Sequence, residues 1–311
     1  MKLLTTGPGP AARVHARTLQ VLLTPLRLLG GRGAGRTALA VARLFPDDDH
    51  AVVRPFPDTA LRVRLADAYW VRHTFGGRAY EPALHDLLLR LLGAQTVFID
   101  CGANIGWWSV LAASRQPRGR TIAIEPSGVL FGELVANAHL NGNAFDCLRA
   151  AVWHTAHETV DLLTDLERHA WGSVAAEISD SLRSRGFLTE SVGTVTIDDV
   201  VNEYCGDAEV PVVKLDVEGA EVDALRGSSA LLERGILVYE DHGRDATAST
   251  SRFVIEELGL TVYRCEQNAV LERVGLEDVL ADRDPSVGYN LVAVRHAGPG
   301  AAHLRERVGC E

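Results

Sequence analysis

The sequence predicts an α/β fold, a twisted and mostly parallel sheet covered by helices on both faces. Three observations predict it. Short apolar runs alternate with amphipathic helical segments from Thr96 to His296, with no linker-like break. The strand runs are hydrophobic on both faces, as strands buried between two helical layers must be. Several of them end in an acid, namely Asp100, Glu125, Asp216 and Glu240. Parallel sheets bind ligands outside the carboxyl ends of their strands, so those ends hold the residues to inspect.

The elements follow in order. Leu19–Leu29 reads as a short amphipathic helix, interrupted by Pro25 and Arg27. The glycine-rich stretch 30–35 is a flexible break, and a second helical piece runs to Arg43. Residues 51–65 alternate as a small hairpin. Tyr69 to Pro82, aromatic and interrupted by glycine, reads as a loop near a site, and Ala83–Leu92 as a Leu-rich helix. Strands are expected at Thr96–Asp100, Thr121–Glu125, Cys147–Trp153, Thr194–Ile197, Val210–Val217, Ile236–Glu240, Leu260–Cys265 and Asn290–Arg295, with an edge strand at Thr159–Leu163. Helices are expected at Ile105–Ser114, Ser127–Leu140, Asp198–Tyr204, Ala220–Leu232 and Ser251–Leu258, the second capped by Ser127. The chain then divides into an N-terminal helical extension, 1–60, and a main domain, 61–311.

Hydrophobic residues make up 47% of the chain, enough for a large core. The five cysteines are odd in number and contain no CxxC pair, which points away from disulfides and zinc and toward a reducing cytoplasm. No apolar run reaches the ~18 residues needed to span a bilayer, and the Leu-rich stretch lacks a clean cleavage site. The net charge of -10 is uneven: residues 1–45 carry seven cations and no acid, which leaves -17 for the remainder. An acidic body argues against a nucleic-acid grip as the main function. The basic arm has three readings, namely a membrane, an acidic partner, or the acidic body itself, and the last asks for least. The first helix is also a candidate contact for a homo-oligomer.

The strongest local signal is Val97-Phe98-Ile99-Asp100-Cys101-Gly102-Ala103-Asn104-Ile105-Gly106, a strand running into a small-residue turn and then a helix. Gly102 and Ala103 let a ligand approach the backbone, and the helix start offers amide donors. The spacing is GxxxG, not the GxGxxG of dinucleotide binders, so a ligand with a ribose and a zwitterionic tail fits better than one with two phosphates. Glu125 ends the next strand, 23 residues after Gly102, placed to accept hydrogen bonds from both ribose hydroxyls. The plainer alternative for it is a solvated strand-end carboxylate. Asp100 is positioned to hold an amino group, directly or through water.

Four blocks in order, DCGANIGWWSVLAA, AIEPSGVLFGELVANAHLNG, VTIDDVV and VVKLDVEGAEVDALRG, give the chain a resemblance to the FkbM-type methyltransferases over residues 65–295. The resemblance implies a class I, Rossmann-like fold with a mostly parallel seven-stranded sheet. It implies S-adenosylmethionine as cofactor and O-methylation of a small hydroxylated acceptor, such as a sugar or a secondary-metabolite intermediate. N-methylation, carboxyl or carbamate methylation, and a non-catalytic cofactor-binding module stand as alternatives. Carried over by position, it assigns Gly102, Ala103 and Asn104 to the cofactor turn and Glu125 to the ribose. It passes Ala150-Ala151-Val152 near the adenine and faces Asp216 toward the methyl group.

Asp216 and the Glu240-Asp241-His242 run end strands that neighbour one another in this fold. Three carboxylates in one cleft repel unless a cation lies between them. Asp216, Glu240 and Asp241 therefore form a candidate Mg²⁺ site, similar to those of catechol and sugar O-methyltransferases. The alternative is that Asp216 holds cofactor or a loop amide while the acidic pair caps its strand without metal. His242 is the first candidate for general base and Glu218 the second. Metal-dependent enzymes of this kind sometimes place a catalytic His three residues after the strand-end Asp, and here that position is Gly219. Tyr69, Trp70, His73, Tyr80 and Glu81 are expected in an aromatic lid, one of Trp107 and Trp108 beside the cofactor, and His169, Trp171 and Ser173 near the acceptor.

Overall fold

The computed structural model describes residues 2–6, 10–27, 33–45, 49–77, 79–116, 120–165, 172–174, 187–281, 283–284 and 288–309. At its centre eight strands form one sheet in the order Leu271–Val274, Thr261–Cys265, Gly288–Val294, Ile236–His242, Val210–Leu215, Thr96–Cys101, Thr121–Ile124, Asp146–Leu148. The last five run parallel, and Gly288–Val294 is antiparallel to both its neighbours. The chain moves outward from Thr96–Cys101 in one direction and later in the other, so the order reverses between Thr96–Cys101 and Val210–Leu215. That reversal opens a crevice at the strand tips.

Strand alternation sorts the core into two layers. Phe98, Val212, Ile236 and Val238 pack on one face with Leu84, Leu87 and Leu304. Val97, Ile99, Val213, Leu237 and Tyr239 pack on the other with Val200, Leu225 and Val254. Full burial of each such side chain contributes about 1.5–3 kcal/mol, which makes this double-sided sheet the main source of stability.

Four elements differ from expectation. The sheet has eight strands rather than seven, because the turn through Asn268 and Ala269, both at positive φ, folds Leu271–Val274 back onto Thr261–Cys265. The Cys147–Trp153 run breaks in two: Asp146–Leu148 stays in the central sheet, while Ala151–Val152 pairs with Phe187–Val195 in a separate sheet. Part of the expected aromatic loop is helix Ala68–Thr74, capped by Asp67, whose carboxylate accepts from the amides of Tyr69 at 2.9 Å and Trp70 at 3.2 Å. The hairpin near the start gains a third strand, Lys2–Thr6, beside His50–Arg54 and Leu61–Arg64. Leu19 and Leu23 of helix Pro10–Arg27 join the same core layer as Leu84 and Phe98.

The tightest approach lies at the crevice. Gly102 sits at φ +78°, and a Cβ there would come within 1.8 Å of the Asp216 carbonyl oxygen. Backbone cannot yield as a flexible side chain does. Gly102→Ala is therefore expected to lower Tm by at least about 5 °C, combining left-handed strain with overpacking. Gly132→Ala, in an exposed helical position with nothing within 4 Å, is expected to leave Tm unchanged or raise it. Thermal unfolding of the two variants checks both signs, and an unchanged Tm for Gly102→Ala would contradict the close approach.

Candidate active site

A cavity of about 760 Å³ opens at the crevice. Its walls include the turn Gly102-Ala103-Asn104, Glu125, Ala150-Ala151-Val152, Asp216, Glu218, Glu240 and His242, together with aromatic residues from the segment before the first central strand. Most residues singled out from sequence therefore come together. Asp100 and Asp241 do not line it.

The turn is held from within. The amides of Gly102 and Ala103 donate to the Ile124 carbonyl at 3.0 and 2.9 Å. The Asn104 amide donates to Glu125 Oε2 at 2.9 Å, and the Ile105 amide to Asn104 Oδ1 at 2.9 Å. The amides of the turn itself are thus engaged by the protein, and these residues contribute shape. Glu125 also accepts from the Ser127 amide at 3.0 Å, so both its oxygens are fixed in direction. Burial outweighs these bonds and pushes its carboxyl up to about 7.

Asp100 is fully buried, and its Oδ2 accepts from Ser109 Oγ at 2.6 Å. Its other oxygen faces the Lys214 ammonium at 3.8 Å. It lies beneath the cavity rather than in its lining, whereas the sequence placed it at an amino group of the ligand, directly or through water. Lys214 Nζ also stands 3.1 Å from Asp216 Oδ2. Lys214 was not singled out from sequence. Its signal was a lone cation inside the buried run Val210–Leu215, where an ammonium survives only beside carboxylates. Burial alone would lower its pKa, but the charges of Asp216, Asp100 and Glu81 together raise it, so it stays protonated.

The strand Ile236–His242 separates its acids by alternation. Glu240 and His242 point into the cavity, whereas Asp241 points to the opposite face with Tyr239. There Asp241 accepts from the amide and hydroxyl of Ser251 and pairs with Arg283. Asp241 is consequently not available to the expected metal set. His242 takes its place: Asp216, Glu240 and His242 each offer a ligand atom, all within 4.8 Å of one another. Asp216 Oδ1 and His242 Nε2 are buried and have no hydrogen-bond partner. His242 lies between Glu240 Oε1 at 3.6 Å from Nδ1 and Glu218 Oε2 at 3.7 Å from Nε2. Burial, reinforced by the charge of Asp216, pushes Glu218 up to about 8 and Glu240 up to about 9. Burial likewise carries Glu81 to about 7, with Lys214 opposing the shift.

Aromatic rings close the cavity opposite the acids. Trp70 stacks on Trp107 with centroids 5.5 Å apart, and Tyr80 on Trp108 at 5.4 Å. Both Trp107 and Trp108 are buried and both line the cavity, where one of the two was expected to do so. Trp70 Nε1 donates to Asn104 Oδ1 at 3.0 Å, which ties the aromatic wall to the glycine turn. His169 and Trp171 lie outside the described residues. Ser173 falls on strand Gly172–Val174, which pairs with Thr159–Asp165.

The chain matches the Methyltransferase FkbM domain family over residues 100–265. It is 28% identical over 160 residues to "Methyltransferase sdnD" of Sordaria araneosa, covering 44% of this chain and 61% of that protein. It is 26% identical over 257 residues to "AMB antimetabolite synthetase AmbE" of Pseudomonas aeruginosa, covering 70% of this chain and 11% of that one. The chain thus spans less than two thirds of the length of either relative. Among solved structures it resembles M. jannaschii TYW2 in complex with AdoMet, with TM-score 0.41, 11% identity, and coverage of 80% of this chain and 86% of that one. It also resembles SMU.1697c, a putative methyltransferase from Streptococcus mutans in complex with SAH, with TM-score 0.38, 11% identity, and coverage of 69% and 97%. The family match spans more than half of the 311 residues and takes in the glycine turn, Glu125, Asp216 and the Glu240–His242 strand end; the chain belongs to the FkbM family of S-adenosylmethionine-dependent methyltransferases.

Proposed function

We propose that this methyltransferase transfers methyl to a hydroxyl of a small molecule, a sugar or a secondary-metabolite intermediate, with a divalent cation held by Asp216, Glu240 and His242. The observation that carries the reading is the donor triangle at the cavity wall, with Asp216 Oδ1 and His242 Nε2 buried and without a hydrogen-bond partner. Lys214 already lies beside Asp100 and Asp216 Oδ2, which leaves Asp216 Oδ1 and the Glu240 side of the triangle for an added cation. An imidazole in the set suits Mn²⁺ better than the Mg²⁺ that three carboxylates would favour. One relative carries the name antimetabolite synthetase, in keeping with a small-molecule acceptor.

In this reading the cofactor's ribose meets Glu125, its adenine lies along Ala150–Val152, and the turn at Gly102, Ala103 and Asn104 shapes the cradle. Asp216 faces the methyl group. When bound, S-adenosylmethionine would supply an electrophilic sulfonium methyl, which an acceptor oxygen would take in line, the oxygen–carbon bond forming as the carbon–sulfur bond breaks and its electron pair goes to sulfur. Holding the two atoms at attack distance supplies about 7–11 kcal/mol of the barrier. A cation bound by the triangle supplies Lewis acidity that makes the hydroxyl more acidic. His242, the first candidate for base, moves into the ligand set, and Glu218 beside it, in its carboxylate form, would accept the proton. We also propose that residues 1–60 form an extension to a catalytic domain of 61–311, although the sheet of Lys2–Thr6, His50–Arg54 and Leu61–Arg64 joins the two.

Three outcomes are expected. Chelation with EDTA should abolish turnover, with recovery on adding Mn²⁺ or Mg²⁺, and calorimetry should show Mn²⁺ binding that His242→Ala loses; full activity in chelator would remove the cation from the mechanism. Glu218→Gln should lower kcat by roughly 10²–10⁴ while cofactor affinity holds. The third concerns pH. The ribose needs the Glu125 carboxylate, whose pKa lies near 7, so protonation removes charge and acceptor capacity as pH falls through that value. Affinity for S-adenosylhomocysteine, measured by calorimetry from about 1.5 pH units below that value to about 1.5 above it, should therefore weaken in acid. Glu125→Gln should bind roughly 10–100-fold more weakly with a flatter profile, and an unchanged profile would exclude the ribose role.

A further inference from the structure

Helix Pro10–Arg27 buries Ala12, Ala16, Leu19 and Leu23 and turns Arg13, Val14, Arg17, Val21 and Leu22 outward. Helix Ala34–Ala42 packs against it and buries Ala34, Ala38, Val41 and Ala42. Its outward side carries Arg36 and Leu39, with Arg43 and Leu44 just beyond its end. Among the described residues, eight large hydrophobics are exposed, and five of them, Val14, Val21, Leu22, Leu39 and Leu44, belong to these two helices and the turn that follows. Val21 is 71% exposed and Leu44 77%. Such concentration marks an interaction surface, where scattered single residues would not.

The charge is equally one-sided. Residues 10–45 contain no Asp or Glu. Arg13, Arg17, Arg36 and Arg43 are exposed and form no ion pair with any described residue. The arm therefore does not spend these cations on the described carboxylates of the acidic body, which was the plainest reading of its sequence.

We propose that this face docks on an anionic lipid bilayer, reversibly and without spanning it. The arginines meet headgroup phosphates and the aliphatic side chains enter the acyl boundary. Charge and apolarity together choose this occupant. Two copies meeting face to face would set four arginines against four with no acid between them. The remainder of a second copy matches the charge at -17 but exposes only Val129, Leu140 and Val270 as large hydrophobics among its described residues. A nucleic acid satisfies the arginines and leaves the aliphatics in water. A bilayer supplies both counterparts at the spacing of one helix face.

The test is sedimentation of the full chain with vesicles of phosphatidylcholine alone or of phosphatidylcholine with phosphatidylglycerol. Binding should require the anionic lipid, weaken with salt, and drop about fivefold for each of Arg13→Gln and Arg17→Gln. The double variant Val21→Ser/Leu22→Ser should lose binding while its Tm and its affinity for S-adenosylhomocysteine stay at wild-type values. Equal binding to both vesicle types, no sedimentation, or wild-type binding by the serine variant would overturn the proposal. Sedimentation velocity completes it: a dimer that the serine variant dissolves would assign the face to a second copy instead.

Discussion

One ammonium group sets the terms for everything at the strand tips. Lys214 is 4% exposed and reaches Asp100 and Asp216, the acids that end the two strands flanking the crevice. An isolated buried charge costs several kcal/mol, so neither the lysine nor the two acids would be tolerated alone. Together they give the crevice a fixed floor. Asp100 is further held by Ser109, and the Asp216 amide donates to the Cys101 carbonyl at 3.1 Å. The backbone contact at Gly102 and the ion cluster below it therefore lock the same two strands at the same point.

Further buried acids surround that floor. Asp100 and Asp216 have a cation at hand. Glu81, Glu218 and Glu240 are buried around the same Asp216, and their carboxyls are pushed up to about 7, 8 and 9. Positive charge placed among these groups would favour their carboxylate forms. A sulfonium ligand and a divalent ion are both positive, and each would be drawn by the same field.

The sequence showed the sheet, the glycine turn and the acids because those depend on local pattern. Doubly apolar runs at Thr96–Cys101 and Val210–Leu215 can only be buried strands, and Gly102 after the first can only be a tight turn. It misled where side-chain direction mattered. The Ile236 strand was read as ending at Glu240; it continues to His242, and those two residues decide which face each side chain takes. With Glu240 inward, period-two alternation sends Asp241 outward and returns His242 inward. The same rule, applied to Lys214 and Asp216 two residues apart, would have revealed their pairing. The eighth strand and the split of Cys147–Trp153 were not legible, because they depend on pairing partners distant in sequence.

The aromatic wall follows from the same economy of contacts. Trp70 and Trp107 present their faces to each other, as do Tyr80 and Trp108, so the rings are packed before any ligand arrives. Asn104 receives the Trp70 indole N–H and also accepts from the Ile105 amide, at φ +55°, a left-handed position that Asn tolerates better than most residues. The glycine turn and the aromatic wall thus share one side chain. A substitution at Asn104 would disturb both, whereas a change at Tyr69, whose ring meets Trp70 and Tyr80 edge-on and lies beneath the Arg72 guanidinium, acts on the wall alone. Under the proposed reading, the outer rings are where the fit to an acceptor would change with least effect on the turn, provided Asn104 and its indole partner stay in place.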